Sequence, residues 1–313
     1  MKHYSPLRYP GGKNKLSAFI AKICIDNQIN GHYVEPYSGG ASVALFLLLE
    51  GFVSKITIND KDRSIYAFWY SVLNNTKSLC YLIENTEFTI TEWRKQKEVQ
   101  NRKSKVDLLE LGFSTFYLNR TNRSGIINAG VIGGIEQNGN YLMDCRFNKT
   151  ELIERIKAIA KRKKDIRLYR KDAIKLIDKI ETESIDNNVI FYFDPPYYLK
   201  ASSLYMNHYK DDNHKIVSDK IKGIKNIKWL VSYDNVPQIK SLYSDCFKKE
   251  YSFKHTAYSI RDGQEILFLS SNLNQPKIEN WNPLYYKLAK GKIEYKEKKT
   301  TANSGFAKAG LKC

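Results

Sequence analysis

An aspartate, two prolines and a tyrosine stand in succession at Asp194–Tyr197, directly after the hydrophobic run Val189–Phe193. The β-branched and aromatic residues favour a buried strand, and the prolines end it because they cannot donate to a β-ladder. Asp194 is therefore predicted at the carboxyl end of a strand, the edge at which open α/β sheets bind ligands. The alternative is an ordinary turn in which the aspartate bonds its own backbone.

The types of these residues suit methylation of an exocyclic amino group. The amino nitrogen of adenine is a poor nucleophile because its lone pair is delocalised into the ring, so a catalyst has to accept its N–H hydrogens. The Asp194 carboxylate and the Pro195 carbonyl offer two acceptors one peptide apart, on a backbone stiffened by the proline pair. Tyr197 could stack on the base, which gives all three residues a predicted catalytic role.

A glycine pair followed by a lysine, Gly11–Lys13, ends an extended segment and precedes a predicted helix. A phosphate-binding P-loop is excluded, because Leu7 stands where the first glycine of that motif belongs and Asn14 where Ser or Thr is required. Glycines at a helix start with a lysine beside them still form an anion site, suited to a carboxylate or a phosphate.

A second glycine pair, Gly39-Gly40, stands between a predicted strand that begins at His32 and a hydrophobic helix over 41–49. The glycines permit a tight turn and let a ligand approach the backbone. The next predicted strand, 54–58, is followed by Asp60, placed about where the hydroxyl pair of a ribose needs acceptors. Although the spacing differs from Gly-x-Gly-x-x-Gly, this order of elements predicts a dinucleotide or S-adenosylmethionine site.

Helices and strands also alternate in the second half of the chain. The predicted elements are a basic helix over 150–164, a strand over 166–169 with Asp172 just after it, a helix over 211–222, a strand over 227–233, a helix over 236–243 and an antiparallel pair at 251–258 and 265–270. We predict a Rossmann-like α/β fold in which residues 1–61 and 151–274 form the catalytic, cofactor-binding domain. The Lys-rich residues 275–313 are interpreted as a basic C-terminal tail.

The chain carries 51 Lys and Arg against 33 Asp and Glu, a net charge of +18 over 313 residues. Nucleic acid is the expected partner, and a membrane is not, because no apolar run approaches the length of a bilayer span. The alternative is that the basic residues only keep the protein in solution. Widely spaced cysteines without Cys-x-x-Cys predict reduced thiols and no cysteine zinc site; with no signal-peptide core, we expect a cytoplasmic protein.

Residues 62–150 differ in character from the flanking segments. Helical periodicity dominates there and gives way to a polar run over 118–125 and a glycine-rich loop over 130–139. The side chains of the run that could bind DNA are Asn119, Arg120, Asn122, Arg123 and Ser124. We interpret 62–150 as an inserted, mainly helical DNA target-recognition domain; the alternative for the polar run is a solvated loop.

These motifs, in this order, resemble those of the Dam-type, S-adenosylmethionine-dependent DNA adenine-N6 methyltransferases, also termed class alpha. In that class the cofactor motif precedes the recognition domain and Asp-Pro-Pro-Tyr follows it. The resemblance covers about residues 5–270 and rests on four motifs, at 7–13, 35–42, Asp60 and 194–197. It implies the methyltransferase sheet with a helical insertion, S-adenosylmethionine as cofactor and double-stranded DNA as partner.

The resemblance also assigns roles to particular residues. The cofactor-binding residues would be Tyr9, Lys13, Glu35, Gly39, Gly40, Asp60, Asp172 and Asp194. The catalytic residues would be Asp194, Pro195 and Tyr197. Arg8 stands where the family has a basic residue close to DNA, so the predicted DNA-binding set is Arg8, Asn119, Arg120, Asn122 and Arg123.

The mechanism implied by the resemblance is direct, in-line transfer of the sulfonium methyl to a flipped adenine, without a covalent enzyme intermediate and without a metal. A restriction endonuclease is a candidate functional partner, and we expect a monomer or a weak dimer. The target sequence does not carry over, because Arg123–Gly125 occupies the place where GATC-specific members have an aromatic residue. Two alternatives stay open: amino methylation of cytosine or of RNA, and a catalytically inactive DNA-binding regulator on the same fold.

Overall fold

The sheet at the centre of the protein places the predicted strand-end acids along one edge. The computed structural model describes residues 3–9, 11–183, 188–199, 211–254 and 262–296. The strands of this sheet are β1 His32–Glu35, β2 Lys55–Asn59, β3 Ile166–Tyr169, β4 Val189–Phe193, β5 Lys228–Asp234, β6 Phe247–Lys254 and β7 Asp262–Leu269. Residues 255–258, part of the last predicted strand pair, lie outside the described residues.

The spatial order of the strands is β3-β2-β1-β4-β5-β7-β6. Neighbouring strands are parallel from β3 through β5, and β7 runs antiparallel to both β5 and β6. The chain order therefore reverses direction across the sheet between β1 and β4, which is the switch point where open α/β sheets form a crevice for ligands. The predicted Rossmann-like methyltransferase fold is confirmed.

Helices cover both faces of the sheet. In chain order, the α-helices of the described residues are α1 Ser17–Asp26, α2 Ser42–Leu49, α3 Arg63–Asn74, α4 Thr76–Asn85, α5 Ile90–Asn101, α6 Leu108–Thr121, α7 Lys149–Lys161, α8 Ala173–Glu183, α9 Asp211–Lys222 and α10 Pro237–Leu242. Several begin where a short polar side chain accepts a hydrogen bond from the first turn, as Asp62 does for α3, Asp107 for α6 and Asn148 for α7.

Successive residues of the central strands enter two different hydrophobic clusters. Tyr192 packs on the side of α1, α2 and α3, whereas Phe191 and Phe193 pack on the side of α8, α9 and α10. Such alternation follows from the two-residue period of a strand. Both faces of β4 are therefore buried, which holds the end of this strand, and Asp194 after it, in a fixed place.

The helices of the predicted insertion share their core with the sheet. Phe68 of α3 stacks on Phe116 of α6 at a centroid distance of 5.7 Å, and both belong to the cluster that includes α1 and α2. Gly112 lets α6 approach α3 closely, since a Cβ there would lie 2.6 Å from the Ala67 carbonyl oxygen. The segment is helical as expected; its role as a recognition domain stays a prediction.

The C-terminal segment corrects one expectation. Residues 281–295, interpreted as part of a tail, are folded: Trp281 stacks on Phe19 of α1 at 5.0 Å, and a hairpin follows with strands Tyr286–Ala289 and Lys292–Tyr295. Aromatic side chains stand between the lysines and give the segment apolar surface to bury. The prediction of a tail considered the lysine content and did not take these side chains into account. Residues 297–313 lie outside the described residues.

Candidate active site

Lys13 and Asp194 meet at the carboxyl edge of the sheet. The Lys13 Nζ lies 3.2 Å from Asp194 Oδ1 and 3.2 Å from Glu265 Oε1, and it donates to the Gly11 carbonyl at 3.0 Å. The lysine is almost entirely buried, in a short 3₁₀ turn that leads into α1. Its ammonium is therefore a fixed charge against the carboxylate of the Asp-Pro-Pro-Tyr motif.

The Asp194 carboxylate is held in place yet remains reachable. Ser232 Oγ, on the neighbouring strand β5, donates to Asp194 Oδ1 at 2.8 Å and is itself 2.8 Å from the Tyr192 hydroxyl. The side chain keeps 20% of its surface exposed. Burial raises the pKa of Asp194 above its usual range, while the Lys13 ammonium opposes the rise. Lys13 and the Ser232 hydrogen bond therefore both favour the carboxylate form of Asp194.

Tyr197 is more enclosed than a residue that only stacks on a ligand. Its hydroxyl is hydrogen-bonded to both Lys13 and Glu265, and the Lys13 Nζ lies 4.6 Å from its ring centroid. The loop beyond it is tied down because Asp234 accepts the backbone N–H groups of Tyr198 at 3.0 Å and Leu199 at 2.9 Å. Pro195 is buried between these anchored residues.

Glu265 is a residue of this site that the sequence analysis did not select. Its carboxylate accepts hydrogen bonds from the hydroxyls of Tyr197 and Tyr251, in addition to its ion pair with Lys13. The available signal was the strand period: Glu265 shares the parity of Leu267 and Leu269, which face the buried interior. A carboxylate at such a position needs a partner.

The second glycine pair lies directly against the first motif. Gly39 has φ +44°, and a Cβ there would come within 2.5 Å of the Tyr9 ring; a Cβ on Gly40 would lie 2.9 Å from Tyr9 Cβ. The Gly39 carbonyl accepts from Trp69 Nε1 at 2.9 Å, and its N–H donates to Asp60 Oδ2 at 3.0 Å. Tyr9, Gly39, Gly40 and Asp60 are therefore brought together, as the sequence predicted.

Two acids of this crevice carry strongly raised pKa values. Glu35 Oε1 accepts from the Tyr33 hydroxyl at 2.8 Å and from the Ala44 N–H at 3.1 Å, and burial raises the pKa of Glu35 to about 8. Burial likewise raises the pKa of Asp60 to about 7. Buried carboxylates with pKa values raised in this way are candidates for binding the hydrogen-bond donors of a ligand.

Asp172 lies farther out, after β3. Its Oδ2 is 3.1 Å from Lys61 Nζ, and its Oδ1 accepts from the Ile174 N–H at 3.1 Å. Asn59 links the two neighbouring strand ends, because its side chain donates to the Lys171 carbonyl at 3.0 Å and accepts from the Lys171 N–H at 2.8 Å. Asp172 thus occupies the strand end next to that of Asp60, and its cofactor role stays a prediction.

The polar run that was expected to face DNA is buried for the most part. The α6 helix continues to Thr121, which places Asn119, Arg120 and Asn122 in the interior. Arg120 Nε donates to the Pro6 carbonyl at 2.7 Å, and Asn122 Oδ1 accepts from Trp93 Nε1 at 2.7 Å. Contrary to the expectation, the hydrogen-bonding groups of these three residues are directed to the protein itself.

Asn119 joins the N-terminal segment to the turn after α6. Its Oδ1 accepts from the Arg8 N–H at 2.7 Å, and its Nδ2 donates at 2.7 Å to the carbonyls of both Arg8 and Gly125. Gly125 has φ +75°, and a Cβ there would lie 2.3 Å from the Arg8 carbonyl oxygen. Arg8, half-buried, and Arg123, exposed, therefore sit on one rigid support, which we call the arginine platform.

Comparison with known proteins agrees with this geometry. The model of the family described as D12 class N6 adenine-specific DNA methyltransferase matches residues 9–259. The chain belongs to this family. The type II methyltransferase M.MjaIII of Methanocaldococcus jannaschii is 24% identical over 221 residues, which cover 66% of this chain and 73% of that protein. The protein is thus an adenine-specific DNA methyltransferase, and DNA is its substrate.

The crevice of this methyltransferase has chemistry suited to a methyl donor. Tyr9 lies closely against the backbone of the Gly39-Gly40 turn, Ser5 Oγ would lie 3.5 Å from a Cβ on Gly40, and the buried Ser38 Oγ in the same turn has no hydrogen-bond partner among the described residues. Burial is the main cause of the raised pKa values of Glu35 and Asp60, and the neighbouring acids Asp194 and Asp62 add to the rise. These residues fit a donor that presents hydroxyl and amino groups.

Within the described residues, no helix is long and apolar enough to span a bilayer.

Proposed function

We propose that the enzyme transfers a methyl group from S-adenosylmethionine directly to the N6 nitrogen of an adenine flipped out of double-stranded DNA at a specific site. The observation that carries this proposal is the Asp194 carboxylate, fixed by Lys13 and Ser232 at the sheet edge and still 20% exposed. When bound, S-adenosylmethionine supplies a methyl group activated by its sulfonium charge. Tyr9, Glu35, Asp60 and the Gly39-Gly40 turn would hold it.

Asp194 offers one of its oxygens to the adenine. Among the described residues its partners, Lys13 and Ser232, both contact Oδ1. We therefore assign Oδ2 to the amino group, whose second hydrogen would be accepted by the Pro195 carbonyl. Accepting these hydrogens draws the nitrogen lone pair out of the ring and raises its nucleophilicity.

A proton has to leave the nitrogen once the methyl group has been added. The carbon–sulfur bond would break as the nitrogen–carbon bond forms, which would place the positive charge on the nitrogen; loss of one proton would then restore neutrality. Asp194 is the base beside it, and the rise in its pKa on burial suits this role. No enzyme group becomes covalently attached to the base in this scheme.

Flipping of the adenine is required because its amino group is paired inside the duplex. Extrusion costs a few kcal/mol, which stacking and new hydrogen bonds have to offset. Tyr197 supplies an aromatic ring whose hydroxyl is held by a hydrogen bond to Glu265. The net charge of +18 attracts the DNA backbone. Recognition of sequence falls to the arginine platform, where Arg123 is exposed.

The proposal is tested with methyl-labelled S-adenosylmethionine and four substrates: double-stranded DNA, single-stranded DNA, DNA without adenine, and RNA. Nucleosides from the product are separated by mass spectrometry. We expect N6-methyladenine from double-stranded DNA and no label on the adenine-free duplex. Label in N4-methylcytosine or in RNA would contradict the substrate assignment, and DNA binding without transfer would point to an inactive regulator.

The site of methylation is read by mapping modified bases in DNA from cells that express the protein. A single short sequence modified throughout would support site-specific recognition and would justify a search for an endonuclease of the same specificity. Sedimentation of the protein with and without that duplex tests the expectation of a monomer or a weak dimer.

A further inference from the structure

Glu265 stands beneath the Asp-Pro-Pro-Tyr motif on β7, the strand that runs against the direction of its neighbours. Only 5% of the residue is exposed. It accepts from Tyr197 and Tyr251 and lies 3.2 Å from the Lys13 Nζ, which is equally far from Asp194 Oδ1. One ammonium is thus shared by two carboxylates, and one of them is the catalytic acid.

We propose that Glu265 is a positioning residue for methyl transfer: it holds the Lys13 ammonium and the Tyr197 hydroxyl in place against Asp194. This inference rests on the proposed function and adds a residue to it. Glu265 does not reach the reacting atoms itself in this assignment. It acts through Lys13, which contacts the Asp194 carboxylate, and through Tyr197 of the same motif.

The arrangement is costly to the fold, which argues against a role in stability alone. A carboxylate loses its hydration on burial, and a buried ion pair contributes little net stability even when it is well formed. Two tyrosine hydroxyls and one ammonium group donate hydrogen bonds to the buried Glu265 carboxylate. A buried acid with a specific charge partner in a cleft points to function instead.

The same geometry predicts how Glu265 affects Asp194. The Glu265 charge raises the pKa of Asp194, whereas Lys13 and the Ser232 hydrogen bond lower it. The other titratable groups around this cluster are Glu35, Tyr192, Tyr197 and Tyr251. Removal of the Glu265 charge leaves Lys13 paired with Asp194 alone, so the proton should leave Asp194 at lower pH.

The decisive variant is Glu265→Gln, which keeps the shape of the side chain, removes its charge and replaces one accepting oxygen by an amide NH2 group. We expect the single-turnover methylation rate to fall by about 10- to 100-fold, as for a misplaced catalytic group, while affinities for S-adenosylmethionine and DNA stay within about threefold. The acid limb of the rate against pH should move to lower pH. An unchanged rate, or a loss of rate matched by a loss of affinity with an unmoved limb, would overturn the proposal.

Two further variants keep the outcome interpretable. Glu250→Gln changes an exposed glutamate on the adjacent strand β6, paired with Lys240 at 2.7 Å, and should behave as wild type. If Glu265→Gln does not fold, Tyr251→Phe removes one donor from the Glu265 carboxylate and should lower the rate by about threefold or more. A wild-type rate in Tyr251→Phe would then count against the proposal. If the wild-type protein does not methylate adenine, the proposed function is refuted; if the wild type is active and the variants behave as it does, only the role of Glu265 is refuted.

Discussion

Substitution of Gly39 by alanine tests whether the glycine turn receives the methyl donor. Gly39 has φ +44°, and the added Cβ would lie 2.5 Å from the Tyr9 ring, which real Cβ contacts do not tolerate. Tyr9 would have to leave the position in which it covers the turn. We expect the affinity for S-adenosylmethionine to fall at least about tenfold, equivalent to about 1.4 kcal/mol.

Gly51 provides a matched control for the backbone conformation. Its φ of +77° is also in the left-handed region, but a Cβ there would meet nothing within 4 Å. Alanine at either position costs about 1–2 kcal/mol of folding free energy from its conformation alone. The two variants therefore share one penalty, and only Gly39→Ala adds the collision with Tyr9.

Calorimetric titration with S-adenosylmethionine and thermal denaturation separate the two effects. Both variants should unfold a few degrees below wild type, by about 2–4 °C for each kcal/mol lost. Only Gly39→Ala should bind the donor more weakly. If folded Gly39→Ala bound it as well as Gly51→Ala does, the turn would not be part of the donor site.

Further results are expected for DNA recognition, for the arginine platform and for the dependence on pH. Arg123→Ala should relax the base preference by about 1–3 kcal/mol at one or two positions of the target. Removal of lysines within Lys161–Lys164 should instead weaken binding to all DNA sequences alike and flatten the salt slope by about 0.9 per lost phosphate contact. Binding curves for single-base variants of the DNA at several salt concentrations check both predictions. Asn119→Ala should loosen the arginine platform and impair recognition and catalysis together, as measured by the same curves and by turnover. Donor affinity should rise from about pH 6 to about pH 8 as Asp60 ionises, and Asp60→Asn should remove this rise except for the part that Glu35 contributes. Without the donor, the raised pKa of Asp60 should make the folded state lose stability as the pH rises from 3.8 through about 7.

The residues that sequence reasoning located correctly are those fixed by local rules. Asp60 and Asp194 follow strands whose types and end signals are contained in a few residues, and parallel strands bring their carboxyl ends to one edge. Gly39 and Gly40 were recognisable because a tight turn that another group approaches closely needs glycine, and in the structure that group is Tyr9. These inferences did not depend on distant parts of the chain.

The residues it misplaced depend on tertiary contacts. Asn119 and Asn122 form a polar run typical of a loop, but α6 continues through Asn119 because the N-terminal segment supplies partners for its side chain. The strand period placed Glu265 on a buried face, but its partners Lys13 and Tyr197 follow only from the tertiary structure, in which they are 252 and 68 positions away. Pairings between residues so far apart leave no local pattern that names the partner.

Methyl incorporation by the Asp194→Ala variant tests the central claim most directly. Transfer to adenine in double-stranded DNA and DNA affinity are measured on one preparation, with Asp245→Ala, an exposed aspartate after α10, as the control. Loss of a preorganised acceptor predicts a fall of about 100-fold or more in Asp194→Ala, with DNA affinity and the control close to wild type. Activity of Asp194→Ala within about threefold of wild type would contradict the assignment of this carboxylate as the group that activates adenine.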